Sequence, residues 1–365
     1  VAPVRKRTGP ARSRLRSVVA AAVAMALLSA VGAAADGTAP TAAPSDPAGV
    51  LAGTPVRGMI LAGFGDNPRS VLGDLPRLKS IGVNTVSMYV SAGMATVSSN
   101  SIDYTTASPS DDVISLMSRA AHQLGMAVQL LPIPEVRDQF VWRGRIRPSN
   151  VQSWFASYAL MLKHYVTLAN KLQIEIFAIG SELTSMQGYT ANWRALAAWT
   201  NAHYGGMTTY MATAPTTTSI PWWDSLDVIS ISPYFSLSKA RVPSVSEMVT
   251  AWRRSYLPDL ARLSAKFHRS MLFDEIGYAS VEYTAYKPAV PFAGHPAESA
   301  QAQANAYQAL LVATSGQTWL RGVVWWFWGL PFHSPRKGYI IRDKKAECVL
   351  ASYWSTNNVC LALRR

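Results

Sequence analysis

The 365-residue chain predicts an α/β protein, a single (β/α)8 TIM barrel, and three observations carry that expectation. Short apolar runs alternate with helix-period segments throughout the chain after Pro55. Several of the runs are continuous in apolar residues, as in strands buried on both faces of a parallel sheet. Two of them end just before a glutamate: Ile176-Phe177-Ala178-Ile179 stops at Gly180, with Glu182 two residues later, and Met271-Leu272-Phe273 leads into Asp274 and Glu275. In such barrels the chemistry sits at the C-terminal ends of the strands.

Taken in order, Gly58 to Phe64 reads as the first strand, Pro68 to Ile81 as helix and Asn84 to Val90 as the second strand. Ser108 reads as an N-cap, with Pro109 at the first helical position and Asp111 and Asp112 in the first turn. Val113, Ile114, Met117, Ala120, Ala121 and Leu124 give that helix one apolar face, and Gly125 ends it. Met126 to Leu131 is the third strand, followed by a long loop from Pro132 to Ser149. The next helix is the clearest: Trp154, Phe155, Tyr158, Met161, Leu162, Tyr165 and Leu168 fall at helical spacing and read as core. The Glu182 strand is then fourth, and helix is expected around Trp193 to His203. Met207 to Ala212 and Leu226 to Ser232 are strands five and six, with helix within Ser244 to Lys266. The Glu275 strand is seventh, Gln301 to Thr314 is helix, Gly322 to Trp328 is strand eight, and Lys345 to Trp354 is the closing helix.

Ahead of the barrel, residues 1–35 read as a signal peptide. Arg5, Lys6, Arg7, Arg12, Arg14 and Arg16 precede an apolar core, Val18 to Val31, and Ala33-Ala34-Ala35 supplies the small residues of a cleavage site. The apolar core is short for a spanning helix, so an uncleaved anchor is the lesser alternative. Residues 36–55, rich in Ala, Pro, Gly and Thr, read as a flexible linker, and 56–365 as the catalytic domain. The expectation is a secreted monomer, with no membrane contact in the mature form. Without the leader, 28 basic residues face 21 acidic ones. That excess is dispersed and accompanies no nucleic-acid motif, so it reads as solvated surface. Cys348 and Cys360 are the only cysteines. In an oxidising compartment they are expected to pair.

Two carboxylates facing each other across a cleft suit glycoside hydrolysis, one donating a proton to the leaving oxygen and the other attacking the anomeric carbon. Trp325, Trp326 and Trp328, on the last strand, supply aromatic faces on which sugar rings stack. Competing chemistry lacks support. The six histidines have no metal-ligand spacing, there is no C-x-x-C or H-E-x-x-H, and neither a metal nor a cofactor is expected. Gly63-Phe64-Gly65, followed by Pro68, reads as a turn after strand one, not a nucleotide loop.

Six segments in order give a more specific reading. They are V-W-R-G-R-I-R-P (141–148), W-F-A-S-Y (154–158), F-A-I-G-S-E-L (177–183), W-D-S-L-D-V-I-S-I-S-P-Y-F-S-L (223–237), F-D-E-I-G-Y (273–278) and G-V-V-W-W-F-W (322–328). Together they resemble glycoside hydrolase family 113, over about Val56 to Trp354. The resemblance implies a retaining endo-β-glycosidase acting on a polysaccharide or oligosaccharide, β-1,4-mannan first. It implies Glu182 as acid/base, Glu275 as nucleophile and Tyr234 as a hydrogen-bond partner of the nucleophile. Trp328 would be the platform beneath the sugar, with Trp326 and Ser181 also at the substrate, and Trp142 and Arg143 would line the cleft. Ser181 stands where many relatives in the wider clan carry Asn, and Leu131 and Ile133 flank Pro132 where the family pattern has Lys and His. Both departures fall near the innermost subsite. They keep open hydrolysis of another β-linked wall or capsular glycan, and a barrel that binds carbohydrate without cleaving it.

Overall fold

The structure, a computed structural model, describes residues 53–138, 141–329 and 336–356. Nine strands form one sheet: β1 (Val56–Ala62), β2 (Thr85–Met94), β3 (Asp103–Ser108), β4 (Ala127–Val136), β5 (Ile176–Ser181), β6 (Met207–Thr213), β7 (Val228–Ser232), β8 (Ser270–Ile276) and β9 (Leu320–Gly329). Eight of them run parallel in the order β1-β9-β8-β7-β6-β5-β4-β2, and pairing of β1 with β2 closes the ring. This is the expected (β/α)8 barrel, with Glu182 immediately after its fourth strand and Glu275 near the end of its seventh.

β3 is not a barrel strand. It pairs antiparallel with the end of β2, Ser91 opposite Ser108 and Gly93 opposite Asp103. This corrects the sequence reading at Ser108, which ends β3 and caps nothing. The helix begins at Asp111, with Ser110 as its N-cap residue. Asp103 to Ser108 lacks the apolar run that marks a buried strand, because one side of this hairpin faces solvent. β2 and β4 stay in register from Thr85–Ala127 to Met94–Val136, so together with β3 they stand above the barrel rim as a wall.

Two apolar layers hold the barrel. Inside it, Val56, Ile60, Ala127, Ile176, Val228, Leu272, Val324 and Phe327 form a small plug. Outside, the opposite faces of the same strands pack on the helices in one continuous shell that includes Val86, Met88, Phe177, Ile179, Tyr210, Phe273, Trp325 and Trp328. The helix Val151–Leu172 supplies Trp154, Phe155, Tyr158, Met161 and Leu162 to that shell, all buried, as its spacing predicts.

Above the plug lies a buried polar layer, Ser87, Gln129, Thr209, Ser230 and Asp274. Gln129 Nε2 donates to both Asp274 oxygens, at 2.8 and 2.9 Å, and Thr209 Oγ1 donates to Ser230 Oγ at 2.6 Å. No helix among the described residues is long and apolar enough to cross a membrane. Cys348 lies on the helix Lys345–Trp354, and Cys360, its expected partner, lies outside the described residues, as do the leader and most of the linker.

Closure of the ring depends on a close approach at its upper edge. Gly329 has φ +149°, and a Cβ there would sit 1.7 Å from the Ala62 carbonyl oxygen on β1. Gly329→Ala is therefore expected to destabilise the protein by at least about 2 kcal/mol in urea unfolding. An unchanged midpoint would show that β1 and β9 can part at this edge without cost.

Candidate active site

A cavity of about 530 Å³ opens among the strand tips, lined by Glu182, Glu275, Arg143, Tyr89, Trp326, Ile133 and Glu135 together with the loop after β1. Its two central carboxyls are aimed by backbone irregularities. Between Ala178 and Ser181, β5 advances three residues while β6 advances two, and between Phe273 and Ile276 β8 does the same against β9. Such bulges re-aim side chains at strand ends. On β8 the extra residue lets neighbouring Asp274 and Glu275 both face inward while Phe273 and Ile276 stay in the outer shell.

Glu182 adopts φ +52°, a left-handed conformation rare outside glycine. Its N–H donates to the Met211 carbonyl at 2.7 Å, and the next amide, Leu183 N–H, donates to Tyr210 Oη at 2.9 Å. Tyr158 Oη donates to the Ile179 carbonyl at 2.8 Å, fixing the strand from behind. The aromatics of the outer shell thus clamp the turn that carries this acid.

The carboxylate of Glu182 accepts from Ser232 Oγ at 2.8 Å, Trp142 Nε1 at 3.1 Å and Arg143 Nη2 at 3.2 Å. Arg143 also donates through Nε to the Ser181 carbonyl and through Nη2 to Ser181 Oγ, both at 3.0 Å. Ser181 therefore orients the guanidinium. Gly144 makes room for the Trp142 ring, since a Cβ there would lie 2.3 Å from it. Trp142 stays 43% exposed at the rim, outside the cavity lining.

Glu275 is held by two phenols, Tyr234 Oη donating to Oε1 at 3.0 Å and Tyr89 Oη making a short hydrogen bond to Oε2. Burial pushes its carboxyl up to about 7, and the Glu182 charge adds to the rise; the bonds from Tyr89 and Tyr234 and the Arg143 charge partly offset it. Asp274 also rises to about 7 through burial, offset by Gln129 and Ser230. Both phenols are pushed well above their ordinary value, first by burial and then by Glu275, so they remain O–H donors. Burial works against the Arg143 charge, but the surrounding carboxylates outweigh it and the guanidinium stays cationic.

The structure brings Glu182, Glu275, Tyr234, Arg143, Ser181, Trp142 and Trp326 together, and it places Trp328 elsewhere. Trp328 is fully buried outside the barrel, its Nε1 donating to Asp74 Oδ2 at 3.0 Å. The guanidinium groups of Arg77 and Arg342 lie over its ring, 5.7 and 4.9 Å from the ring centre. The aromatic wall of the cavity is Trp326, edge-on to Tyr89 with ring centres 6.1 Å apart. Counting by twos along β9 gives both tryptophans the same face. A third bulge, three residues of β9 from Trp325 to Trp328 against two of β1, breaks that parity.

Sequence reasoning missed Tyr89, Ser232 and the Gln129–Asp274 pair. A signal was present: Thr85, Ser87, Tyr89 and Ser91 alternate with Val86, Met88, Val90 and Ala92, as do Ser230 and Ser232 with Ile229 and Ile231. Polar residues at period two on a barrel strand face the interior. Among the described residues, no group of three or more His, Cys, Asp or Glu side chains could hold a metal ion.

Paired carboxyls beside an indole wall at the C-terminal mouth of a (β/α)8 barrel define a carbohydrate-cleaving barrel of the glycoside hydrolase type. The model of glycoside hydrolase family 113 matches residues 68–340, and the chain belongs to that family. Among solved structures it is similar to the family 113 β-mannanase AaManA from Alicyclobacillus acidocaldarius, in complex with ManMIm. The two are 26% identical, with a TM-score of 0.71, over 82% of this chain and 97% of that one. A second family 113 β-1,4-mannanase structure is 23% identical, with a TM-score of 0.71, over 83% and 99%. A family 5 mannosidase from Rhizomucor miehei shares the fold at 10% identity and a TM-score of 0.55, over 82% and 92%. No curated protein matches the chain.

Two outcomes follow from this geometry. Trp326→Ala should raise KM for a glycan substrate and leave the melting temperature nearly unchanged. Trp328→Ala should cost about 3–5 kcal/mol of stability through the cavity it opens; a reversed pattern would return the platform to Trp328. The second outcome concerns pH. Asp274 and Glu275 bind protons more tightly folded than at their ordinary values of 3.8 and 4.5. The stability they confer is fully present below about pH 4 and is lost as pH rises through about 7. Melting temperature should therefore fall between mildly acidic and mildly alkaline buffer, and Asp274→Asn, which cannot ionise, should flatten the slope. An equal slope in the variant would show that Asp274 is ionised throughout.

Proposed function

We propose that the protein is a secreted, retaining endo-β-glycosidase acting on β-1,4-mannan or a closely related β-linked glycan, with Glu182 as acid/base and Glu275 as nucleophile. The observation that carries the reading is that both carboxyls line one cavity, each with its own set of donors. The choice of mannan follows the family 113 β-mannanases to which the chain is similar. Export rests on the leader-like residues 1–35.

In the scheme, a glycan strand lies over Trp326 with the scissile oxygen toward Glu182. Glu182 donates a proton to that oxygen, and Glu275 bonds to the anomeric carbon, giving a covalent glycosyl-enzyme. Glu182 then takes a proton from water, whose oxygen displaces Glu275. Two departures from the family pattern bear on the sugar. Ser181 is occupied by Arg143, and Ile133 presents an apolar side chain to the cavity.

One observation favours the reverse assignment of roles. In the free protein the cation, Arg143, bonds Glu182, while among the described residues Glu275 has only neutral hydrogen-bond donors, and its proton affinity is raised. A proton resting on Glu275 fits an acid, and the pairing of Glu182 with Arg143 fits a nucleophile. Release of reducing ends from β-1,4-mannan, within a panel of defined polysaccharides, tests the activity. Azide tests the roles. Glu182→Ala should retain the first step on an activated aryl β-glycoside, accumulate glycosyl-enzyme and be rescued by azide to a β-glycosyl azide. Glu275→Ala should lose turnover by a factor of at least about 10⁴. Azide rescue of Glu275→Ala to a β-glycosyl azide would reverse the assignment, and no effect of either substitution would move the site elsewhere.

A further inference from the structure

The two-carboxylate scheme gives no task to Tyr89, the cavity-lining phenol that bonds Glu275. Tyr89, midway along β2, bonds Glu275 Oε2, meets Trp326 edge-on and lies beneath the Arg143 guanidinium, 5.7 Å from its ring centre. Tyr234 bonds the other oxygen, Oε1, but does not line the cavity; its ring packs against the outer apolar shell. Of the two oxygens of Glu275, Oε2 is thus the one whose partner faces the space a sugar would fill.

We propose that Tyr89 is a third catalytic residue, whose O–H holds Glu275 Oε2 in the free enzyme and passes to the sugar's 2-hydroxyl oxygen as Oε2 bonds to the anomeric carbon. The inference rests on the reading of Glu275 as nucleophile. In that step the Oε2–carbon bond forms, and the bond from that carbon to the leaving oxygen breaks with its electron pair. The proton from Glu182 goes to the leaving oxygen. Oε2 becomes the single-bonded oxygen of an ester and loses its charge, so it no longer offers a strong acceptor. The Tyr89 ring, fixed between Trp326 and Arg143, keeps its hydroxyl beside the reacting carbon. Within reach of a group that bonds the attacking oxygen are the immediate neighbours of that carbon. The ring oxygen gains positive charge in the oxocarbenium-like transition state and cannot accept. The 2-hydroxyl oxygen remains, and hydrogen bonds there strengthen as the transition state forms.

The test compares the wild-type enzyme, Tyr89→Phe and Tyr234→Phe on dinitrophenyl β-mannobioside and on the analogue lacking the 2-hydroxyl of the sugar at the cleaved bond. Tyr89→Phe should lower kcat and kcat/KM alike on the parent substrate, by about 10- to 100-fold. On the deoxy analogue its loss should shrink to a few-fold, because the acceptor is gone. Tyr234→Phe should lose the same factor on both. Each comparison is a ratio within one variant, so it does not depend on the fraction that folds. Equal losses for Tyr89→Phe on the two substrates, or no loss on either, would overturn the proposal while leaving the proposed function standing. If wild-type enzyme released dinitrophenol from neither compound and reducing ends from no glycan, the proposed function would fail, and this inference with it.

Discussion

Two carboxyl groups that share one cavity repel each other, and the surroundings of this site are arranged around that repulsion. One cation, Arg143, faces both. It bonds Glu182 directly, leans on the Ser181 carbonyl and hydroxyl, and lies over the Tyr89 ring. Glu275 has no direct cationic partner among the described residues and is held by two phenols. The asymmetry places cationic compensation on one acid and leaves the other easier to protonate. Unequal environments around two carboxyls are what acid–base chemistry at a single centre requires.

The same positions show how a regular barrel presents irregular chemistry. Strict alternation would send Asp274 and Glu275 to opposite faces and would align Trp326 with Trp328. One additional residue on each of β5, β8 and β9 overrides the alternation close to where the chemistry sits. Behind these bulges the support is rigid. Tyr158 and Tyr210 hold the Glu182 turn, and Trp193 stacks on Trp222 with ring centres 5.2 Å apart. The tryptophan-rich shell is therefore buried behind the cavity, where it keeps a left-handed glutamate in place.

The wall built by β2, β3 and β4 gives the cavity one high side. Ser91, Ser108, Ile133 and Glu135 come from it, and the loop after β1 is tied to its edge where the Ser110 N–H donates to Asp66 Oδ1 at 2.8 Å. Arg137 ties the wall together, reaching past Gly93 to Thr106 Oγ1 at 2.8 Å. The shape of this side is set by β2, β3 and β4, separately from the strands that carry the two acids.

The order of the eight barrel strands, the barrel they close into and the two glutamates at strand ends were legible in the sequence, while the added strand β3 was not. Continuous apolar runs and helical spacing report burial, and burial is what a parallel barrel imposes on each strand. The six-segment resemblance was equally local, since each segment contributes its own residues. Tertiary structure alone decided which side chains share a space. Trp328 and Trp326 are indistinguishable as letters, and only the β9 bulge separates a buried tryptophan beneath two arginines from one that lines a cavity. Tyr89 lies far from Glu275 in the chain, and ring closure brings them to hydrogen-bond contact. Periodicity records whether a residue is buried, and it carries no record of what that residue is buried against.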